Sequence, residues 1–255
     1  MAEAKTRRRR QRGSINADDI VAGAFEVARQ VSLDQLSMPT LAEHLDVGVT
    51  SLYWYFRKKD DLLNAMTDIA VDKYVREMPA VSPDEPWQTT LRNNCSAQRR
   101  IHREDEILSD LILIRTSTYS RDATRRVFEE VEPIVQKLVD AGFTPDNALL
   151  AWKSVSVYTS GSIIQDRILR RSDAPVLDDR QRRMTDWSTM PLLASMLDRP
   201  LGGTTDEDFE FTMDRLICGL EALLAEQEDG KAKGPRSPRR AAEPARRTRS
   251  KTASP

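Results

Sequence analysis

Histidine and cysteine are nearly absent: the 255 residues hold two of each. His44 and His102 stand far apart without ligand-like spacing, and Cys95 and Cys218 make no CxxC pair. This argues against a metal site or a disulfide framework, and it reads both cysteines as small core fillers in a reduced compartment. No run of about 18 apolar residues exists, so no membrane span is expected. The N-terminus is rich in arginine but lacks the apolar stretch of a signal peptide, which points to the cytoplasm. There is no glycine-rich phosphate loop, no nucleophile elbow, and no acidic pair beyond those that cap helices. Neither an enzyme nor a bound cofactor is expected. Net charge is missing as well, with 39 basic against 40 acidic side chains.

The charges that exist are segregated. Residues 1–12 carry six Lys or Arg against Glu3, and residues 229–255 carry nine against Asp229 and Glu243, which leaves −13 on the body between them. Blocks of like charge are usually solvated interaction tails. Residues 1–14 read as a flexible basic arm, placed where homeodomain-like arms reach into a minor groove. Residues 229–255 are rich in Pro, Ala, Arg, Lys and Ser without a hydrophobic period. They are predicted to be a disordered basic tail, able to add nonspecific DNA affinity.

The body opens with Asn16-Ala17-Asp18-Asp19, which resembles a capping box, and Ile20, Ala24, Val27, Ala28 and Val31 then give one apolar helical face. Ser37 caps a second helix with Pro39 in its first turn, and Leu41 and Leu45 are spaced for burial. Asp46-Val47-Gly48 breaks it. From Val49 a third helix places Val49, Leu52 and Phe56 on one side and Thr50, Ser51, Trp54 and Tyr55 on the other, with Tyr53 at the edge. Exposing large aromatics and hydroxyls in this way makes sense only if something docks there. The Arg57-Lys58-Lys59 run says that the docked object carries phosphates. Helix, short turn, helix is the helix-turn-helix arrangement, whose second helix enters the major groove. A fourth helix follows from Asp60 to about Glu77.

Residues 15–78 resemble the DNA-binding domain of the TetR family of transcriptional regulators. The likeness is carried by Leu-Tyr-Trp-Tyr-Phe at 52–56, Lys59, Leu62-Leu63, and the Leu36, Leu41-Ala42, Leu45, Val47 pattern; Leu-Tyr-Trp is nearest the tetracycline-repressor branch. The resemblance implies that Thr50, Ser51 and Trp54 read base edges, and that Ser37, Thr40, Tyr53, Tyr55 and Lys59 make phosphate or positioning contacts with double-stranded operator DNA. Pro39 departs from it, because related repressors often hold a base-reading side chain there, so the operator is expected to differ from the tetracycline one.

Residues 82–228 read as a larger helical domain. A helix opens at Ser82-Pro83 or Pro86 and runs to about His102; another covers Asp105 to Ser117. A third covers Asp122 to Asp140, with a kink or break predicted at Pro133. Thr144-Pro145-Asp146 starts a helix to about Leu169 that is apolar nearly all round. Asp179 to Leu197 can form a helix bearing Trp187 and Met190. The last, Asp206 to Gln227, carries Phe209, Met213, Leu216, Ile217, Leu220 and Leu224 on one stripe. The two strongly apolar helices, 146–169 and 206–227, are expected to pair with their symmetry mates in a homodimer.

Trp87-Gln88, Leu91 to Asn94, and Gly142-Phe143-Thr144 through Gly161 resemble the C-terminal ligand-binding domain of tetracycline repressors. This implies a small-molecule effector, with Asn94 where that branch places an inducer contact. The branch's metal-binding histidines fall at about Val75 and Ile112, so its drug–magnesium chemistry is not expected. A mainly apolar pocket is predicted, with Asn94, Gln98, Trp152, Tyr158 and Gln165 as candidates and Trp187 as a lid. The chain is thus expected to be all-α and to act as a ligand-responsive, dimeric transcriptional repressor. The alternatives are an effector-independent architectural DNA-binding protein and a helical small-molecule-binding protein or enzyme.

Overall fold

Asn16 opens helix α1 (Ala17–Val31) through a reciprocal cap. Its side chain accepts from the Asp19 N–H at 2.8 Å, and the Asp19 carboxylate accepts from the Asn16 N–H at 3.2 Å. The structure is a computed structural model that describes residues 15–115, 119–172, 178–197 and 204–232. The basic arm lies outside these residues, as does the basic tail beyond Ala232. In α1, Ile20, Ala24, Val27 and Ala28 are buried as the period requires, and so is Gly23. A β-carbon at Gly23 would meet Leu45 Cδ2 at 2.6 Å, so the missing side chain is what lets α1 lie against the end of α2 (Met38–His44). Ser37 caps α2 by accepting from the Thr40 N–H at 3.2 Å.

Between α2 and α3 (Val49–Tyr53) the left-handed residue is Asp46, with φ of 55°, and not Gly48, which caps α3 in an extended conformation. Asp tolerates that region better than most residues because its short polar side chain bonds locally. Helix α3 is shorter than the wheel suggested; Tyr55 and Phe56 still donate back to the Leu52 carbonyl, and α4 begins at Lys59 and runs to Glu77.

The second half contains α5 (Trp87–Glu104), α6 (Glu106–Ser109), a π-helical turn (Asp110–Ile114), α7 (Arg121–Asp140) and α8 (Pro145–Ser172). Then come α9 (Asp179–Met184), a 3-10 turn (Trp187–Thr189), α10 (Pro191–Ala194) and α11 (Asp206–Ala232). Among the described residues there is no strand. Four expectations are corrected. The helix after Asp105 becomes a short α-turn followed by the π-turn, and its residues 116 and 117 lie outside the described set. Helix α7 runs unbroken through Pro133, so of the two outcomes expected there the break does not occur. The single helix over 179–197 is split, because Pro191 has no N–H to donate and starts a new turn. Helix α11 runs through 229–232, the first residues of the expected tail.

Two hydrophobic clusters hold these elements. The first joins α1, α2, α3 and α4, and draws in Ile101, Ile107, Leu108 and Leu111 from the second half of the chain. The second joins α5, α7, α8 and α11 around Leu91, Ile134, Leu138, Val155, Phe209 and Met213. A buried bidentate pair, Arg167 to Asp110 at 3.0 and 3.1 Å, bolts α8 to the π-turn, and Glu106 adds a contact at 2.7 Å.

Candidate DNA interface and ligand cavity

Helix α3 is anchored by Leu52 and Phe56, both buried, with Val49 half-buried against the same core. The opposite face is presented outward: Trp54 is 82 % exposed, Tyr53 and Tyr55 are about half that, Thr50 is exposed and Ser51 half-buried. An indole left in water forgoes the burial that normally stabilises it, and here it stands together with two half-exposed tyrosines. Beside it stand Arg57 and Lys58, both exposed, and Lys59 in the first turn of α4. Lys59 Nζ donates to the Asp34 carbonyl at 3.3 Å, which holds the ammonium at this edge. Ser37 and Thr40 bond each other at 2.7 Å at the start of α2. Tyr55 is committed to the fold, since its hydroxyl donates to the Ile15 carbonyl at 2.7 Å and ties down the entry to α1. The eight residues expected at the interface thus sit on α2, α3, the loop after α3 and the start of α4.

A cavity of about 170 Å³ lies in the second half of the chain. Val71 and Tyr74 of α4, Asn94, Gln98 and His102 of α5, and Ile112 and Leu113 of the π-turn form one part of its wall. Tyr119, then Val127, Glu130, Val131 and Ile134 of α7, then Trp152 and Ser156 of α8 form the rest. His102 is 2 % exposed, and neither ring nitrogen has a hydrogen-bond partner. Its ring lies against Tyr74 at 5.4 Å between centroids. Burial pushes the imidazole pKa down to about 4 against a weaker opposing pull from Asp105, so the ring is neutral at pH 7. Burial also raises the Glu130 carboxyl, and it raises the Tyr74 phenol with help from the nearby Glu130 charge.

Both domains match family models. Residues 20–66 match the bacterial regulatory proteins of the tetR family, and residues 79–224 match the tetracyclin repressor-like C-terminal domain. The chain belongs to the TetR family. A Mycobacterium tuberculosis protein named HTH-type transcriptional repressor Rv1353c is 42% identical over 234 residues, spanning 89% of this chain and 88% of its own. The Escherichia coli tetracycline repressor protein class E is 27% identical over 218 residues, 84% of this chain and 94% of its own. A solved structure, that of a possible TetR family transcriptional regulator from Streptomyces coelicolor A3(2), superposes with a TM-score of 0.65 at 27% identity, covering 82% of this chain and 100% of that one. This TetR-family chain is therefore a DNA-binding transcriptional regulator and not an enzyme. Among its described residues no helix is long and apolar enough to cross a membrane.

Within the TetR-family scaffold, Asn94, Gln98 and Trp152 line the cavity. Three other candidates do not. Tyr158 stacks on Phe209 at 5.6 Å and donates to the Asp208 carbonyl, so it joins α8 to α11. Gln165 accepts from Thr204 at 3.4 Å, and Trp187 donates to the Arg182 carbonyl of its own segment. Of the two positions that replace the branch's histidines, Ile112 is in the cavity wall and Val75 is not. Sequence reasoning missed Tyr74, His102 and Glu130. A signal existed for His102: Leu91, Cys95, Gln98 and His102 recur every three or four residues, so Gln98 and His102 continue the buried face of α5 that Leu91 and Cys95 begin. Cys95 is a buried filler, its thiol pushed up to about 11 by burial. Cys218 is not, because it falls on the outward stripe of α11.

Proposed function

We propose that this TetR-family regulator is a homodimeric repressor that leaves a palindromic operator when a small, largely apolar effector fills the cavity. The observation that carries this reading is that α4 serves both sites. Lys59 stands at its DNA end, while Val71 and Tyr74 line the cavity about 20 Å further along at 1.5 Å per residue. The π-turn is the second connection. Ile112 and Leu113 line the cavity, and Leu108 and Leu111 beside them pack with α1 and α4. Arg115 at its end bonds Asn64 at 3.0 Å, and Lys73 of α4 pairs with Asp105 at 2.7 Å. A ligand that presses on this wall therefore moves the base of the DNA-reading helices. π-turns are irregular hydrogen-bonding steps that recur at functional sites, and this one lies where movement is needed.

Dimerisation is supported by the outer faces of α8 and α11. Leu149, Leu150, Val157 at 70 % and Ile168 are exposed on α8, and Phe211 at 66 % on α11. A β-carbon at Gly161 or Gly219 would meet nothing within 4 Å, so both faces are also open to a close-packed partner. The apolar stripe of α11 faces inward: Phe209, Met213 and Ile217 are buried within the chain.

Footprinting of the full chain on the promoter beside its own gene tests the reading. Two half-sites related by two-fold symmetry are expected, separated by about one or two helical turns. Trp54→Ala should lower affinity about tenfold, and Lys59→Ala should reduce the salt slope by about one. Equal affinity for random DNA of the same length would overturn specific repression in favour of an architectural role. Any effector must bind the operator complex more weakly than the free protein, since equal affinity for both states shifts nothing.

A further inference from the structure

The cavity also limits what the effector is, an inference that rests on the functional reading above. At about 170 Å³ it is close in size to the roughly 150 Å³ apolar cavity known to hold benzene, so it admits one aromatic ring with a short substituent. Tyr74, Tyr119 and Trp152 supply aromatic walls. Glu130 is the one formally charged side chain in the wall, and no hydrogen bond or ion pair to it occurs among the described residues. A half-buried carboxylate without a counter-charge disfavours an anionic guest and gains most from a cation. His102 adds a second, independent requirement. Both of its nitrogens are buried and unsatisfied, Tyr74 packs on its ring, and both residues line the same small cavity as Glu130. A neutral imidazole keeps one lone pair to accept a proton donor.

We propose that the effector is a small arylalkylamine, protonated in solution, whose ring sits between Tyr74, Tyr119 and Trp152 and whose ammonium group pairs with Glu130 and donates to His102. Its ammonium group offers three donors, enough for the carboxylate, the imidazole and one of the flanking amides, Asn94 or Gln98. The aromatic walls add attraction for the cation wherever they present a ring face to it. A phenol of the same size would satisfy His102 but leave the Glu130 charge unneutralised.

The test compares three probes that share a phenylethyl frame, on the full chain by titration calorimetry: 2-phenylethylamine, 2-phenylethanol and 3-phenylpropanoate. The amine should bind about tenfold more tightly than the alcohol, with the propanoate weakest. Glu130→Gln should bring the amine-to-alcohol ratio to about one, Glu130→Asp should preserve a preference for the amine, and His102→Phe should weaken amine binding about tenfold. An alcohol that matches the amine, a propanoate that exceeds it, a ratio indifferent to Glu130→Gln, or no binding by any probe would overturn the proposal. Operator retention is measured in the same titrations. Release of DNA by the alcohol alone would defeat the amine assignment and leave induction standing. Glu130-dependent amine binding without any change in DNA affinity would defeat induction and leave the amine assignment standing.

Discussion

A neutral imidazole sealed against Tyr74 carries a measurable cost. His102 titrates at about 4 in the folded chain against about 6.5 when unfolded, because burial penalises its charged form. The unfolded state therefore binds more protons between those values, and stability falls as pH drops from about 6.5 towards 4. The loss from this residue is on the order of 3 kcal/mol when both values have been crossed. Urea unfolding at pH 7 and pH 4.5 should show it, and His102→Phe should flatten that limb; an equal drop in the variant would assign the loss to carboxylates. Other residues divide by how far their chemistry speaks for itself. Trp54 was legible from the wheel alone, since an aromatic opposite Leu52 and Phe56 has no core to enter. Tyr158 and Gln165 were not, because a polar or aromatic side chain on a helix fits a cavity wall, an interhelical contact or the surface equally well until its neighbours are placed.

At the scale of elements, ends were legible wherever a side chain closes its own backbone. Asn16, Ser37 and Thr144-Pro145 mark starts that the structure keeps. Gly142 marks a stop: it has φ of +111°, and Phe143 donates back to the Leu138 carbonyl across it. Gly142→Ala should therefore lower stability by about 1 kcal/mol through strain in the left-handed region, read as a lower urea midpoint with an unaltered slope. No change would mean that the turn relaxes. The π-turn was not legible, since its register depends on Arg167 gripping Asp110 from a helix more than fifty residues away. The break of 179–197 at Pro191 could have been read from the proline and was not, because the apolar spacing around Trp187 and Met190 favoured one helix.

For the whole molecule the open question is what covers α8 and α11. Val157 lies in an exposed apolar stripe of α8 with Leu149, Leu150 and Ile168, and Phe211 is an exposed aromatic on α11; an apolar stripe of that kind is rarely left in water. The double variant Val157→Glu, Phe211→Glu should sediment as a monomer at micromolar concentration and lose operator affinity, while the unaltered chain sediments as a dimer. A wild-type monomer would remove the two-fold reading of the operator. Charge at this scale also explains why the proposed DNA face is not found by composition. Residues 13–78 hold six basic against eleven acidic side chains, so the proposed affinity would have to come from the local grouping of Arg57, Lys58 and Lys59 and from the N-terminal arm.

The sequence by itself determined the helical class, the helix-turn-helix and the outward face of α3. Those follow from local rules: a 3.6-residue period, caps that bond within four residues, and aromatics that no core claims. Only the tertiary structure decided which polar residues of α4, α5 and α7 share a cavity. Tyr74, His102 and Glu130 come from three helices, and they line one cavity only because of how those helices pack. Tertiary packing also decided which stripe of α11 faces inward, since Phe209 and Phe211 are equally apolar and lie on different faces of the same turn. Local pattern fixes the helix-turn-helix, and packing between distant segments fixes which side chains line the cavity.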